Sequence, residues 1–285
     1  MGSFREQLNA VARRNGSLVC VGLDPDVRKF PPSLASLAPK QAIVRFNRAI
    51  IDATKDLVCA YKPNLGFYVA YGIPGLEALA ETKRMIPAGM PVILDCKAGD
   101  LAVTSDGYAR GFFETWNFDA VTVNPYLGED ALEPFLSAPG KGVIVLSKTS
   151  NPGSGDLQDL YVETGEGREP VYLNVARRAA VWNDRYAADV GLVVGATYPD
   201  QLKRVRKICP TLPILLPGVG AQAGDVDASV KAGVDADGYS LIVSSSRGII
   251  YASNGEDFAD RARDAALALQ EATRRAVSNL AVGRN

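Results

Sequence analysis

Residues 91 to 101 read Pro-Val-Ile-Leu-Asp-Cys-Lys-Ala-Gly-Asp-Leu, so an apolar run becomes charged at its end. This pattern is typical of a buried strand that carries polar side chains to the rim of a parallel sheet. Side chains two residues apart on a strand point to the same side, so we expect Asp95 and Lys97 to project together, with Asp100 in the turn beyond. Two carboxylates around one ammonium are costly to desolvate, which favours a functional role. A salt bridge that closes the strand end explains the spacing equally well.

Seven further apolar runs follow the same pattern, each leading through a polar or glycine-rich turn into a helical stretch. We predict eight strands at residues 18–24, 57–64, 91–97, 120–125, 142–148, 190–196, 213–220 and 237–246. The helical pattern is clear near the C-terminus, where apolar residues recur every three or four positions at Phe258, Ala262, Ala265, Leu269, Ala272 and Ala276. Near-continuous apolar strands that alternate with helices indicate a parallel sheet covered on its faces.

Eight strand–helix units in 285 residues predict an α/β fold of the (β/α)8 TIM barrel type. An open doubly wound sheet is the alternative, but the strand count and the lack of an early Gly-x-Gly-x-x-Gly motif argue against it. We expect a single catalytic domain over residues 1–285, with an N-terminal helix at about residues 3–15. Residues 150–170 form the longest irregular stretch, which favours a functional lid loop over a simple solvated excursion.

The composition narrows the possible functions. The chain has no histidine, which excludes histidine acid–base catalysis and histidine-ligated metal sites. A net charge of −1 gives no general attraction to nucleic acid or to anionic membranes. The four cysteines, Cys20, Cys59, Cys96 and Cys209, lack metal-like spacing and are expected to be reduced thiols. Since the sequence shows neither a leader nor a long apolar run, we expect a cytoplasmic protein.

Polar residues mark the carboxyl ends of the predicted strands, where barrels place their active sites. They are Asp24, Lys62, Asn64, Asp95, Lys97, Asn124, Lys148, Ser150, Thr197 and Arg247. The last two strand ends have the features of a phosphate site. The turn at 217–222 is glycine-rich and can present backbone N–H groups, while segment 244–248 supplies serine hydroxyls and a guanidinium. Loops after strands seven and eight commonly bind phosphate in barrels.

Seven motifs in order resemble those of the orotidine 5′-phosphate decarboxylases, in particular the longer bacterial branch of that family. They are Asp95-x-Lys97-x-x-Asp100 and the segments 21–26, 61–64, 121–126, 148–153, 217–222 and 245–247. The resemblance spans about residues 15–255. It implies a carboxy-lyase that converts orotidine 5′-monophosphate to uridine 5′-monophosphate and CO2, the last step of de novo pyrimidine nucleotide synthesis. The resemblance implies no cofactor and no metal.

The resemblance also implies catalytic roles. Lys97 is the expected proton donor to C6 of the pyrimidine, and Asp95 stands beside the leaving carboxylate. Lys62 is expected to bind the ribose and to orient Asp95. Asp100 completes the charged array, and Asp100 and Thr104 are expected to enter the active site of a neighbouring subunit. The expected partners are therefore the nucleotide substrate and a second copy in a homodimer, and neither nucleic acid nor membrane.

Five further residues are expected to bind the substrate. The resemblance implies that Asp24 binds a ribose hydroxyl and that Ser150 contacts the pyrimidine. Gln222 and Arg247 are expected to hold the phosphate, and Asn124 joins this set from the end of the fourth strand. Plainer structural roles stay open for several of them: Asp24 could cap a turn, Ser150 could cap its loop, and Arg247 could pair with a surface acid.

Three other functions remain open. A related barrel lyase could use the same charged frame on a sugar phosphate with a divalent metal, which needs further oxygen ligands. A Schiff-base aldolase could act through Lys62, Lys97 or Lys148. A non-catalytic nucleotide-binding barrel would keep the phosphate site but lack the catalytic charges. The intact Asp-x-Lys-x-x-Asp motif and the absence of histidine favour the cofactor-free decarboxylase.

Overall fold

The eight predicted strands form one parallel sheet that closes into a barrel. The computed structural model describes residues 2–165, 167–219 and 226–282. The barrel strands are β1 (Val19–Leu23), β2 (Ala60–Pro63), β3 (Ile93–Ala98), β4 (Ala120–Val123), β5 (Gly142–Lys148), β8 (Asp189–Val194), β9 (Ile214–Pro217) and β10 (Leu241–Ser245). They lie in the order β2-β1-β10-β9-β8-β5-β4-β3. Two parallel bridges, Tyr61 with Val92 and Asn64 with Asp95, join the two outer strands and complete the ring, so the predicted TIM barrel is confirmed.

Helices surround the barrel and connect its strands. They are α1 (Phe4–Asn15), α2 (Pro32–Ala35), α3 (Pro39–Thr54), α4 (Leu65–Val69), α5 (Gly72–Met85), α6 (Ala102–Arg110), α7 (Glu129–Leu136), α8 (Gly155–Gln158), α9 (Val171–Arg185), α10 (Pro199–Ile208), α11 (Val226–Gly233), α12 (Arg247–Ile250) and α13 (Phe258–Val282). Their apolar faces pack against the outer side of the strands and form the larger of two cores. We find no helix among the described residues that is long and apolar enough to cross a membrane.

The first helix closes the amino-terminal end of the barrel. Ser3 and Glu6 form a capping box that starts α1, and Gly16 ends the helix in the left-handed conformation at φ 55°. Phe4 and Leu8 of α1 belong to the smaller core, whose other members are mostly residues of the barrel strands. Phe4 lies so close to Gly142 that a side chain there would collide with the ring. Because this end is plugged, the opposite rim is the accessible one.

Two predicted strands begin later than expected, for local reasons. The segment before β2 finishes the turn after α3, where the Leu57 amide donates to the Thr54 carbonyl at 2.9 Å. The segment before β10 is held as a turn by the Asp235 carboxylate, which accepts from the amides of Asp237 (3.0 Å) and Tyr239 (2.8 Å). A backbone turn thus overrides the apolar pattern before β2, and side-chain capping by Asp235 overrides it before β10.

The 150–170 segment is more regular than predicted. It contains a 3-10 turn (Pro152–Ser154), the short helix α8, and an antiparallel hairpin of β6 (Tyr161–Thr164) and β7 (Gly167–Pro170). Side chains of β6 alternate between exposed and half-buried positions, as expected for a hairpin at the surface. The prediction of an irregular loop is therefore wrong, although the segment does lie at the carboxyl end of β5.

Candidate active site

Asp95 lies at the centre of a cluster at the carboxyl end of the barrel. Its Oδ2 accepts from Lys62 Nζ at 2.9 Å and from Asn64 Nδ2 at 3.1 Å. Its Oδ1 accepts from Lys97 Nζ at 2.6 Å and from the Thr122 hydroxyl at 3.0 Å. Strands β3 and β4 and the end of β2 therefore converge on one carboxylate. With four donors, the two oxygens of Asp95 are fully occupied, so the carboxylate is fixed in place.

The two lysines stabilise the ionised form of the Asp95 carboxylate. Burial alone raises the pKa of Asp95, but Lys62 and Lys97 outweigh it and hold that pKa well below its usual range. Burial likewise opposes the charge on Lys62, but Asp24 and Asp95 outweigh burial and raise the Lys62 pKa above its ordinary value. Asp95 and Lys62 are therefore both charged at neutral pH.

The two ammonium groups differ in access to the open end of the barrel. The Lys62 side chain is buried, whereas the Lys97 side chain is 48% exposed. Both contact the same carboxylate from opposite oxygens. Lys97 is therefore the cation that a bound molecule can reach, while the buried Lys62 holds Asp95 in place.

A backbone irregularity directs Lys97 toward this carboxylate. The register between β3 and β4 shifts between Leu94 and Ala98, as in a β-bulge. Lys97 itself has a φ of 49°, a left-handed conformation that is unfavourable for a lysine. Its amide donates to the Thr122 hydroxyl at 2.9 Å. Thr122 thus supports both Lys97 and Asp95, a role that sequence reasoning missed because a threonine in an apolar strand resembles a core residue.

Asp24 faces the same cluster from the end of β1. It is buried, and its charge is among those that raise the Lys62 pKa. Its Oδ1 has no hydrogen-bond partner among the described residues. A buried carboxylate oxygen without a donor is costly, and a ligand hydroxyl would satisfy it.

Tyrosine hydroxyls hold the loop that carries Asp24. Tyr68 donates to the Leu23 carbonyl, and Tyr251 donates to the Asp24 carbonyl, both at 3.0 Å. The same Tyr251 hydroxyl accepts from the Asp26 amide at 2.6 Å. Since Tyr251 directly follows α12, this contact ties the first strand end to the last one.

The predicted phosphate and pyrimidine residues lie around the rest of the rim. Arg247 is exposed at the first position of α12, next to the end of β10. Ser150 is exposed and packs so closely over Gly195 that a Cβ there would lie 2.8 Å from the Ser150 Cβ. The Ser150 hydroxyl also lies beside Gly218, whose φ of 91° requires glycine. Gln222 lies outside the described residues.

Three predicted residues are directed elsewhere within this chain. The Asp100 carboxylate accepts from the amide of Leu101 at 2.7 Å. Thr104 is exposed in the first turn of α6. The Asn124 side chain caps a 3-10 turn by accepting from the Tyr126 amide at 3.1 Å. Of the charged set expected from the sequence, the structure joins Lys62, Asp95 and Lys97 by hydrogen bonds, while the role of Asp100 stays a prediction.

The described residues contain no group of three or more Cys, Asp or Glu side chains arranged to hold a metal ion. All four cysteines are free thiols, and Cys96 is the least buried of them. Burial raises the pKa of the Cys96 thiol to about 12, so this neighbour of the charged cluster stays protonated. The charged groups that the described part of the site brings together are the ammonium groups of Lys62 and Lys97 and the carboxylate of Asp95.

Comparisons with known proteins agree on one family. The model of the orotidine 5′-phosphate decarboxylase / HUMPS family matches residues 17–262. An orotidine 5′-phosphate decarboxylase from Thermomicrobium roseum is 54% identical over 273 residues, covering 96% of this chain and 95% of the relative. One from Ralstonia pickettii is 49% identical over 270 residues, covering 94% and 97%. The structure of Leishmania donovani OMP decarboxylase superposes with a TM-score of 0.78 at 41% identity, covering 94% of this chain and 99% of that one.

Proposed function

Because this chain belongs to the orotidine 5′-phosphate decarboxylase family, we propose that Lys97 protonates C6 of the pyrimidine when orotidine 5′-monophosphate loses CO2. The reaction yields uridine 5′-monophosphate, and the chain is a carboxy-lyase of pyrimidine biosynthesis. One observation carries the proton assignment. Lys97 is the half-exposed ammonium of the cluster, and its Nζ lies 2.6 Å from the central carboxylate of Asp95.

The charges of the site fit each step of this reaction. When the bond between C6 and the carboxylate breaks, the electron pair stays on C6 and CO2 leaves. An ammonium fixed beside C6 stabilises this developing negative charge and then transfers one N–H proton to it. The resulting amine of Lys97 recovers a proton from solvent. Asp95, ionised and unable to move, places a like charge beside the substrate carboxylate and thus favours its departure.

The residues around the cluster support this geometry. Lys62 and Thr122 hold the two oxygens of Asp95 in place. We assign Asp24 to a ribose hydroxyl, because its Oδ1 is an acceptor for which residues 2–165, 167–219 and 226–282 provide no donor. We assign Lys62, whose charge is sustained by Asp24 and Asp95, to the ribose as well.

We assign the remaining predicted residues to the two ends of the substrate. Arg247 has the guanidinium geometry that suits phosphate, and Gln222 is assigned to the same phosphate on sequence grounds alone. Ser150 lies at the rim between Gly195 and Gly218 and is assigned to the pyrimidine. Binding energy from the distant phosphate can position the ring at Lys97. Asn124 is retained as a peripheral contact.

We further propose that the active form is a homodimer that covers the apolar surface around α6. Val103 is 88% exposed and Tyr126 is 79% exposed, and Leu101 and Leu127 are exposed beside them in sequence. Asp100 and Thr104 belong to the same chain segment as Leu101 and Val103. An exposed apolar surface of this kind is typical of an interface. Asp100 would then add a second carboxylate to the two-lysine cluster of the neighbouring copy.

A cytoplasmic location is part of the proposal. Its support is that all four cysteines are free thiols and three of them are buried, as is usual in a reducing compartment.

The decisive test is an absorbance assay with orotidine 5′-monophosphate, with and without a chelator. We expect turnover in both conditions, and loss of turnover in Lys97→Ala with an unchanged fold by circular dichroism. Turnover that vanishes with the chelator would favour the metal-dependent lyase instead. Near-normal turnover of Lys97→Ala would disprove the proton-donor role while leaving the family activity intact.

A further inference from the structure

A second buried lysine lies at the same rim, outside the Asp95 cluster. Lys148 is the last residue of β5, and its side chain is only 1% exposed. Its Nζ donates to both carboxylate oxygens of Asp159 at 2.8 Å and to the Ser154 hydroxyl at 3.1 Å. The same ammonium lies 4.7 Å from the ring centroid of Tyr198, in a cation–π contact. The reaction described above makes no use of this group.

The contacts of Lys148 close the chain between β5 and α8 into a loop. Asp159 directly follows α8, and Ser154 precedes it. A second clamp lies next to the first: the Gln158 side chain accepts from the Thr149 amide at 2.9 Å and donates to the Thr149 hydroxyl at 2.8 Å. The segment 149–159 is thus held at both ends against the last residues of β5.

Ser150 lies inside this closed loop. It follows Lys148 by two residues and packs over Gly195, where the neighbouring strand β8 has just ended. Tyr198, which the Lys148 ammonium contacts, lies three residues beyond Gly195. The Lys148 ammonium therefore holds both the segment that carries Ser150 and the segment after β8 against which Ser150 packs.

We propose that Lys148 is a positioning residue, whose ammonium holds segment 149–159 on the rim and thereby sets Ser150 against Gly195 for contact with the pyrimidine. The proposal rests on the proposed function of Ser150. It explains why a charge occupies a buried position. Taking an ammonium out of water is costly, and an apolar side chain of similar size often gives equal stability. An ion pair with hydrogen bonds, unlike an apolar contact, fixes one geometry.

The main test is a double-mutant cycle between Lys148→Met and Ser150→Ala. We expect each single variant to lower kcat/KM for orotidine 5′-monophosphate by about 10- to 100-fold. The kcat/KM of the double variant should be no lower than that of the less active single variant. Losses that multiply in the double variant would show that Lys148 acts independently of Ser150 and would overturn the proposal. Lys83→Met is the matched control. Lys83 pairs with Asp119 at 3.3 Å at the opposite end of the barrel, and its removal should leave kcat/KM within about twofold.

Limited proteolysis judges the positioning role independently of turnover. Leu157, Leu160 and Tyr161 are exposed chymotrypsin sites within or next to the clamped segment. We expect Lys148→Met to be cleaved there at least fivefold faster than the wild type, and Lys83→Met to be cleaved at the wild-type rate. Equal rates in all three proteins would refute the positioning role.

A further variant guards the test against a folding defect. Asp159→Asn removes the half-exposed carboxylate that pairs with the Lys148 ammonium. This variant should show the same faster cleavage and the same non-additivity with Ser150→Ala. If Asp159→Asn behaves like the wild type in both assays, the proposal fails. If the wild type itself lacks turnover, the proposed function fails, and the cleavage rates still decide whether Lys148 holds the segment.

Discussion

Replacing either lysine of the Asp95 cluster by methionine should separate stability from catalysis. Lys62 is buried and contacts Asp95 at 2.9 Å, while its charge also faces Asp24. Lys62→Met therefore leaves two buried carboxylates short of one cation. Removing one partner from a buried ion pair typically costs about 3–5 kcal/mol. For a chain of this size, such a loss corresponds to a fall in Tm of roughly 10 °C.

Lys97→Met removes the other cation at a much lower cost in stability. The Lys97 side chain is 48% exposed, and Asp95 keeps Lys62, Asn64 and Thr122 as donors. Partly exposed ion pairs contribute only about 0–1 kcal/mol, so the Tm should fall by no more than about 3 °C. Turnover, in contrast, should be lost, since the proposed proton donor is gone.

The two variants are compared by thermal unfolding and by the absorbance assay on the same preparations. The expected order is a large loss of Tm for Lys62→Met, a small one for Lys97→Met, and loss of turnover for Lys97→Met despite its stable fold. Lys83→Met, a partly exposed pair at the other end of the barrel, should lose little in either assay. An equal loss of Tm in the two site variants would refute the assignment of Lys62 as the buried support and Lys97 as the accessible acid.

Three further outcomes follow from the same geometry. The stability that Asp95 contributes is present above the carboxyl's unfolded pKa, near 3.8, and is lost as pH falls below it. The stability that Lys62 contributes is present below about 10.5 and is lost as pH rises through its raised pKa. The contribution of this pair to the Tm should therefore be level between these limits and fall outside them. Tyr251→Phe removes the hydroxyl that holds the Asp24 loop, whose hydrogen bonding contributes about 1 kcal/mol. This variant should raise KM about fivefold with little change in kcat. A fall in kcat with an unchanged KM would contradict this role. Val103→Asp should yield monomers in sedimentation velocity, whereas Val181→Asp, on the exposed face of α9, should not; a dimeric Val103→Asp would place the interface elsewhere.

The fold follows from the sequence because its signal is local and repeated. Each barrel strand is a short apolar run with a polar end, and burial on both faces requires that pattern. Strand starts were less predictable, since they depend on local contacts outside the apolar pattern: the side-chain cap of Asp235 before β10 and the backbone turn after α3 before β2. The hairpin in segment 150–170 went unrecognised because its strands have four residues each and no apolar face toward the core.

The site was predictable only in part, since sequence spacing does not give the path of the backbone. Asp95 and Lys97 do project together, but only through the left-handed φ of Lys97 and the register shift against β4. Thr122 contributes through that shift, which no pattern within β4 reveals. Asp100 instead accepts from the Leu101 amide at 2.7 Å, one residue beyond Gly99, which packs directly on the Asn124 carbonyl.

The arrangement of charges supports both roles that we propose for this barrel rim, substrate binding and proton transfer. All four acceptor positions of Asp95 are occupied by protein donors, so its carboxylate contributes a charge that is fixed in place. One buried oxygen of Asp24 has no hydrogen-bond partner in the part of the chain that the structure describes, so it can accept from a ligand. Lys97 remains half-exposed and holds the only ammonium of the described cluster that can approach a reacting carbon. A strained backbone at this lysine is then consistent with catalysis by a preset charge, since the free energy needed to place the ammonium is supplied by folding before the substrate arrives.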